Sequence, residues 1–155
     1  MKINAKILSD KITPEMLQPK TPGSAGIDLM AVNFTDGFYG IIYPDQVVKI
    51  GTGIAIHLDN PCYAAVVMPR SGVGHKGLIL GNTIGLIDSD YQGEIIMSVW
   101  NRSSDPIKIN AMDRIAQLII VPVIQPVFNF VESFEKTERG EGSFGSTGIN
   151  ILIKD

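Results

Sequence analysis

Glu94-Ile95-Ile96-Met97-Ser98-Val99-Trp100-Asn101 is the segment on which the fold turns. From Ile95 to Trp100 its residues are apolar on both faces except for Ser98, so alternation marks no solvent side. Such a strand is covered twice. Either it lies in the middle of a sandwich, or a second copy of the same subunit covers it in a closed homo-oligomer, and the segment by itself supports both. Working outward, similar short segments recur at residues 3–8, 27–31, 38–43, 47–50, 53–58 and 63–68, then at 107–109, 114–123 and 127–131. They are rich in Val, Ile, Tyr and Phe, and 16 glycines and nine prolines lie scattered between them, as expected of many strands joined by turns. A helical stripe over three turns is missing elsewhere, although residues 70–77, after Pro69, suit one short helical piece. The expected fold is all-β: a jelly-roll-like sandwich or barrel of many short strands, with one short helix and a flexible C-terminal arm.

Composition narrows the function. Of 155 residues, 45% are hydrophobic and 19% charged, the balance of one compact soluble domain rather than a disordered chain. Thirteen Lys and Arg against 16 Asp and Glu leave a net charge of −3, so no basic stripe for a phosphate backbone is expected, and nucleic acid is not an expected partner. The opening MKINAKILSDKITPEM has no sustained apolar core, and the apolar run 115–131 is broken by Gln117, Pro122, Gln125, Pro126 and Asn129. Neither secretion nor a membrane span is expected. The single Cys62 has no partner for an intramolecular disulfide, and no cysteine or histidine cluster suggests structural zinc, so the reducing cytoplasm is the expected location.

Two units of organisation are expected: a β core over residues 1–131 and an arm over 132–155. From Glu132 the chain reads ESFEKTERGEGSFGSTG, with Phe144 the one large apolar residue among the glycines. A solvated tail is the ordinary reading of such a stretch. An aromatic ring on a flexible tether favours instead an arm that closes over a flat ligand.

Pro69-Arg70-Ser71-Gly72-Val73-Gly74 puts a cation, a hydroxyl and glycines where a strand hands over to a helix, a combination suited to an anion. By itself the string is a weak signal, and a capped turn with an exposed Arg is its more common explanation. Residues 81–93, GNTIGLIDSDYQG, read as a β-hairpin whose tip or return carries Asp88, Ser89, Asp90 and Tyr91. If the region is extended, Asp88 and Asp90 share a face and are placed to hold a cation; if it turns, they diverge and only one enters a pocket. Ile84, Leu86 and Ile87 precede Asp88, and an acid beside packed aliphatic groups is a candidate general base. His57 and His75 stand without a second ligand and read as surface or capping residues, and the six Met as core filler. Gln117 is the one polar group within residues 115–121; its amide either bonds neighbouring backbone or reaches a polar ligand.

Taken in order, five segments resemble the motifs of the trimeric all-β deoxyuridine triphosphate nucleotidohydrolases, the dUTPases: AGIDLMA at 25–31, PRSGVGHKG at 69–77, GNTIGLIDSDYQG at 81–93, RIAQLII at 114–120 and RGEGSFGSTG at 139–148. The resemblance covers nearly the whole chain. It implies a homotrimer with three active sites at subunit interfaces, hydrolysing dUTP to dUMP and pyrophosphate with Mg²⁺ on the triphosphate. That activity supplies dUMP for thymidylate synthesis and keeps uracil out of DNA. By the same resemblance Asp88 is the base for the attacking water, and Asn82 reads the uracil edge with main-chain groups near Leu86, Ile87 and Ile96. Tyr91 packs on the deoxyribose, where a 2′-hydroxyl would clash; Arg70, Ser71, Gly72 and Gln117 meet phosphates. Phe144 stacks over uracil, Arg139 meets the terminal phosphate, and Ser146 belongs to the same arm. No direct protein ligand to the metal is implied, Asp28 supporting that region indirectly.

Two departures stand out. Ser143 replaces a glycine common in the fifth motif, which restricts the arm's backbone, and INILIKD extends the chain beyond Gly148. Two other readings use the same scaffold: a dCTP deaminase-like enzyme attacking the base, and a nucleotide-responsive regulatory binding protein. The third motif with Asp88 and Tyr91, and the full fifth motif, favour the dUTPase reading over the deaminase.

Overall fold

The computed structural model describes residues 1–34 and 39–143. Among them are eleven strands and one short helix: β1 (Asn4–Ile7), β2 (Ile27–Met30), β3 (Asn33–Phe34), β4 (Ile41–Ile42), β5 (Val47–His57), β6 (Tyr63–Pro69), α1 (Ser71–His75), β7 (Leu78–Leu80), β8 (Gly85–Ile87), β9 (Glu94–Asn101), β10 (Ile107–Lys108) and β11 (Arg114–Pro122). The strands form two antiparallel sheets, ordered β1-β5-β9-β7 with β3 also on β5, and β2-β11-β6-β8; β4 and β10 pair separately. All-β architecture with one short helix is as the sequence leads one to expect. A single 3-10 turn, Pro14–Leu17, starts with proline at its first position, where the missing N–H costs nothing. Within it, the Thr13 hydroxyl and then the residue's own amide hold the Glu15 carboxyl below its usual range.

The core lies between the two large sheets, with Leu29, Ile42, Ile50, Ile95, Met97 and Val99 essentially sealed from solvent. Burying each such side chain stabilises the fold by about 1.5–3 kcal/mol. Central β9 alternates after all: Ile95, Met97, Val99 and Asn101 point inward, while Ile96 is 54% exposed and Ser98 and Trp100 are half-buried. Asn101 is fully satisfied, its amide donating to the carbonyls of Ile42 and Asp105 and its oxygen accepting from Ser103.

Several local readings need correction. Residues 47–50 and 53–58 are not two strands but the single β5, whose pairing with β9 shifts register between Gly51 and Ala55. Gly53 sits there at φ +71, a left-handed conformation that glycine adopts without strain, so the glycines mark a bulge rather than a break. β7 is a further strand, only three residues long and too short for the sequence pattern to mark. In the 38–43 segment only Ile41–Ile42 pairs, and Phe38 lies outside the described residues.

Residues 81–93 are not a hairpin: β7 and β9 pair in one sheet, whereas β8 between them crosses to pair with β6 in the other. Residues 127–131 form no strand. Val127 is 98% and Phe130 92% exposed, and β-propensity needs a half-covered pleated surface to express itself. The chain divides into two units, Met1–Gln125, which holds every element named here, and Pro126–Asp155.

Candidate functional site

The handover from β6 to α1 places the first group of candidate residues. Arg70 caps α1 in an extended conformation (φ −74, ψ 142), and its carbonyl takes the amides of Val73 and Gly74 at 3.1 and 2.8 Å. Its guanidinium turns to β2 and β11. Arg70 Nε lies 2.8 Å from Asp28 Oδ1 on β2, and Arg70 Nη1 donates to the Arg114 carbonyl at 3.2 Å. The other Asp28 oxygen, Oδ2, accepts from Arg114 Nη1 at 3.3 Å. Asp28 is 8% exposed, and two cations against its one anion leave the cluster with a surplus of positive charge.

Gln117 stands opposite Asp28 in the β2–β11 ladder, and its Nε2 donates to the Pro69 carbonyl at 3.2 Å. Of the two possibilities for this amide, bonding to neighbouring backbone is realised, while the group still faces a cleft of about 380 Å³. Arg70, Ser71, Gly72, Gln117 and Asp28 line that cleft together with Lys20, Ser24 and Gly26. An acidic chain thus gathers cations at one concavity, the arrangement that concentrates an anionic ligand.

The second group lies on the segment between β7 and β9. Asn82 is exposed, and its carbonyl accepts from the Thr83 hydroxyl and the Ile84 amide, each at 2.6 Å. Thr83 has φ +60, an unusual conformation for a β-branched residue, and its amide bonds Leu80 at 2.9 Å. Leu86 and Ile87 belong to β8, the edge strand of its sheet, so among the described residues one side of that main chain has no ladder partner.

Asp88 follows β8 and is exposed, and the Tyr91 amide bonds its carbonyl at 3.2 Å, closing a turn over Ser89 and Asp90. The turned alternative is therefore the realised one. Among the described residues no group of three or more His, Cys, Asp or Glu side chains is placed to hold a metal.

Asp88 and Leu86 line a separate cleft of about 690 Å³ with His57, Asp59, Tyr63 and Gln125, sharing no residue with the first. Asn82, Ile87, Tyr91 and Ile96 line neither. Tyr91 donates its hydroxyl to the Glu94 carbonyl at 2.9 Å, and Ile96 stands across from Gly51 on the outer face of β9. In the second unit, Arg139 Nε donates to the Gly142 carbonyl at 3.3 Å. Phe144, Ser146 and the INILIKD extension lie outside the described residues, while Ser143 is exposed.

Lys20, Ser24, Gly26 and Arg114 were missed as site-forming residues. Of these, only Arg114 and Gly26 carry a signal, lying within RIAQLII and AGIDLMA; the loop holding Lys20 carries none.

An antiparallel two-sheet chain with cations gathered at one cleft, and a carboxylate at the end of an open edge strand, defines an all-β protein suited to a phosphorylated ligand. The particular family follows from comparison with known proteins: the dUTPase family model matches residues 13–148, and the chain belongs to that family. It is 51% identical over 149 residues to the deoxyuridine 5'-triphosphate nucleotidohydrolase of Paraburkholderia phymatum, covering 96% of this chain and 99% of the relative. The protein of the same name from Hydrogenovibrio crunogenus is 53% identical over 152 residues, covering 96% and 97%.

Among solved structures, a mutant dUTPase of Staphylococcus bacteriophage 80alpha, with dUpNHpp, superposes with a TM-score of 0.81 at 26% identity, covering 96% of this chain and 99% of that one. A dUTPase of phage phi11 of S. aureus, described with a structural Mg(II) ion, shares the fold at a TM-score of 0.74 and 22% identity, covering 88% and 100%.

Proposed function

We propose that this protein hydrolyses dUTP to dUMP and pyrophosphate, providing dUMP for thymidylate synthesis and keeping uracil out of DNA. The observation that carries the reading is the coexistence, in a dUTPase-family chain, of the Arg70–Gln117 cleft with Asp88 at the end of an edge strand. Arg70, Ser71, Gly72 and Gln117 hold the phosphates. Asn82 and the open main chain around Leu86 and Ile87 read the uracil edge, with Ile96 nearby, because an unpaired strand edge offers donors and acceptors at fixed spacing. Tyr91 packs on the deoxyribose. Asp88 takes a proton from water, the oxygen attacks the α-phosphorus, and the bond to the bridging oxygen breaks as pyrophosphate leaves.

Mg²⁺ on the triphosphate neutralises charge on the phosphate oxygens when bound. Both Asp28 oxygens are engaged by Arg70 and Arg114, which fits indirect support of that region rather than direct ligation. Arg139, Phe144 and Ser146 close the arm over the bound nucleotide. The absence of a shared lining residue between the two clefts supports a site completed between subunits of a homotrimer. Exposed Val47 and Ile96 on the outer sheet face, and exposed Val127, Phe128 and Phe130 in the second unit, support the same assembly, since apolar surface of this kind is ordinarily covered. No helix among the described residues is long and apolar enough to cross a membrane, and the lone cysteine fits work in the cytoplasm.

The test is product release from dUTP, UTP, dTTP and dCTP with and without Mg²⁺. Pyrophosphate from dUTP alone is the expected result; ammonia from dCTP would replace this reading with the deaminase, and no turnover with tight dUTP binding would replace it with a regulator. Light scattering should give three times the chain mass, and an active monomer would overturn the shared site.

A further inference from the structure

Three hydrogen bonds converge on Glu94, a residue no motif reading singled out. Its Oε1 accepts from Asn33 Nδ2 and from the main-chain N–H of buried Gly53, both at 2.8 Å. Its carbonyl accepts the Tyr91 hydroxyl at 2.9 Å. The first two bonds fall where β5 and β9 lose register between Gly51 and Ala55, so the carboxylate fills a gap in the ladder and satisfies a buried donor there. The start of β9 is therefore clamped to the β5 bulge, and Tyr91 is clamped to the start of β9. Gly93 makes the second clamp possible, because a Cβ there would stand 2.5 Å from the Tyr91 hydroxyl oxygen and 2.7 Å from Cζ. Tyr91 is otherwise 42% exposed, with its ring's hydroxyl end tied to the Glu94 main chain.

We propose that Glu94 is a positioning residue for sugar selection: by fixing the start of β9 on the β5 bulge it holds the Tyr91 ring at a set height, so that a 2′-hydroxyl meets an unyielding surface. The proposal rests on the reading of Tyr91 as the ring packed on deoxyribose. Steric rejection is only as strong as the wall is stiff. A ring tied to a loose carbonyl would give way by a few tenths of an ångström and admit ribose, whereas a carboxylate holding two donors resists that movement.

The experiment measures kcat and KM for pyrophosphate release from dUTP and UTP in the full-length protein and its variants. Glu94→Ala should lower the dUTP-over-UTP ratio of kcat/KM about tenfold, the weight of one hydrogen bond, mainly through a lower KM for UTP. Glu94→Gln keeps an acceptor oxygen and should restore most of the ratio. Tyr91→Phe removes the hydroxyl alone and should match Glu94→Ala, and the double variant should be no worse than either single one, because both cut the same chain of contacts.

An unchanged ratio in Glu94→Ala, with discrimination lost in Tyr91→Ala, overturns the role of Glu94 and leaves that of Tyr91 standing. Additive losses in the double variant overturn it too. An unchanged ratio in Tyr91→Ala means that the reading of Tyr91 itself has failed. Should Glu94→Ala not fold, Asn33→Ala decides: it loosens the carboxylate while Gly53 keeps its acceptor, so a threefold or so lower ratio is expected, and an unchanged one overturns the proposal.

Discussion

Around Asp28, two guanidinium groups, a carboxamide and the start of α1 are held by bonds within one chain, among them Arg70 to Asp28 at 2.8 Å. From Asn82 to Tyr91 the chain instead presents exposed side chains on turns and a three-residue edge strand, and Leu86 is 62% exposed. Under the proposed function, the difference follows from what each region recognises. Phosphates need charge set in place beforehand, which requires counter-ions behind the ligand-facing groups. A base is read by main-chain groups, and these need only an open strand edge and a cover supplied from elsewhere. The braced half should therefore respond to substitution through binding, and the open half through chemistry and selectivity.

The sharpest break in that contrast is Asp88→Asn, which keeps shape and removes the proton acceptor. In the proposed mechanism kcat falls by roughly 10²- to 10⁴-fold while analogue affinity is largely kept. Near-normal turnover would move the base, with Asp90 the first place to look. Next in size is the arm. Ending the chain after Glu138 removes Arg139 and every residue beyond it but leaves the exposed apolar residues of 126–134 in place. Single-turnover rate should drop on the order of 10- to 100-fold, by more than the analogue's dissociation constant rises, because in the proposed function closure serves the transition state more than initial binding. An unchanged rate would make the tail a solvated end, and loss of the proposed trimer would make it structural.

Asp28→Asn tests the braced side. One oxygen survives, but the charge that holds Arg70 and Arg114 is gone, so KM for dUTP should rise about tenfold with kcat less affected. With both arginines more than a third exposed, the stability loss should be only about 1–2 kcal/mol, a drop in Tm of several degrees in a thermal scan. A fall in kcat with KM unchanged would assign Asp28 to the reaction itself.

Legibility in the sequence followed the range of the contacts. Arg70, Ser71 and Gln117 were readable because their chemistry lies in a local string: a cation and hydroxyl at a strand end, a lone amide in an apolar run. Arg114 reaches Asp28 only through the β2–β11 ladder, and Lys20 reaches the cleft only through the loop before β2; neither route is written locally. The hairpin reading of 81–93 failed for the same reason. β8 is too short to declare a partner, and the strand it joins, β6, lies back across α1 and β7. Residues 127–131 show the converse, since a strand-like composition cannot supply the neighbour a strand requires.

The smallest expected effect is also the most local. Gly26 is not held at positive φ, so alanine suits its backbone, yet a Cβ there would sit 2.8 Å from Gln117 Oε1 and 3.4 Å from Gln117 Cβ and Cδ. The atom in the way is the free end of a flexible side chain, so the protein yields by turning the carboxamide rather than by moving a strand. That rotation sacrifices the 3.2 Å bond to Pro69 and swings the amide in the cleft. Stability should change by less than about 1 kcal/mol, because the lost bond is offset by alanine's smaller unfolded-state entropy. KM for dUTP should nonetheless rise about threefold with kcat held, which follows if Gln117 contributes ordinary binding rather than transition-state stabilisation. Repeating the substitution in a Gln117→Ala background separates the causes: with the carboxamide gone Gly26→Ala should add nothing, and a further rise in KM would place the effect in the 18–26 loop and its Lys20 instead.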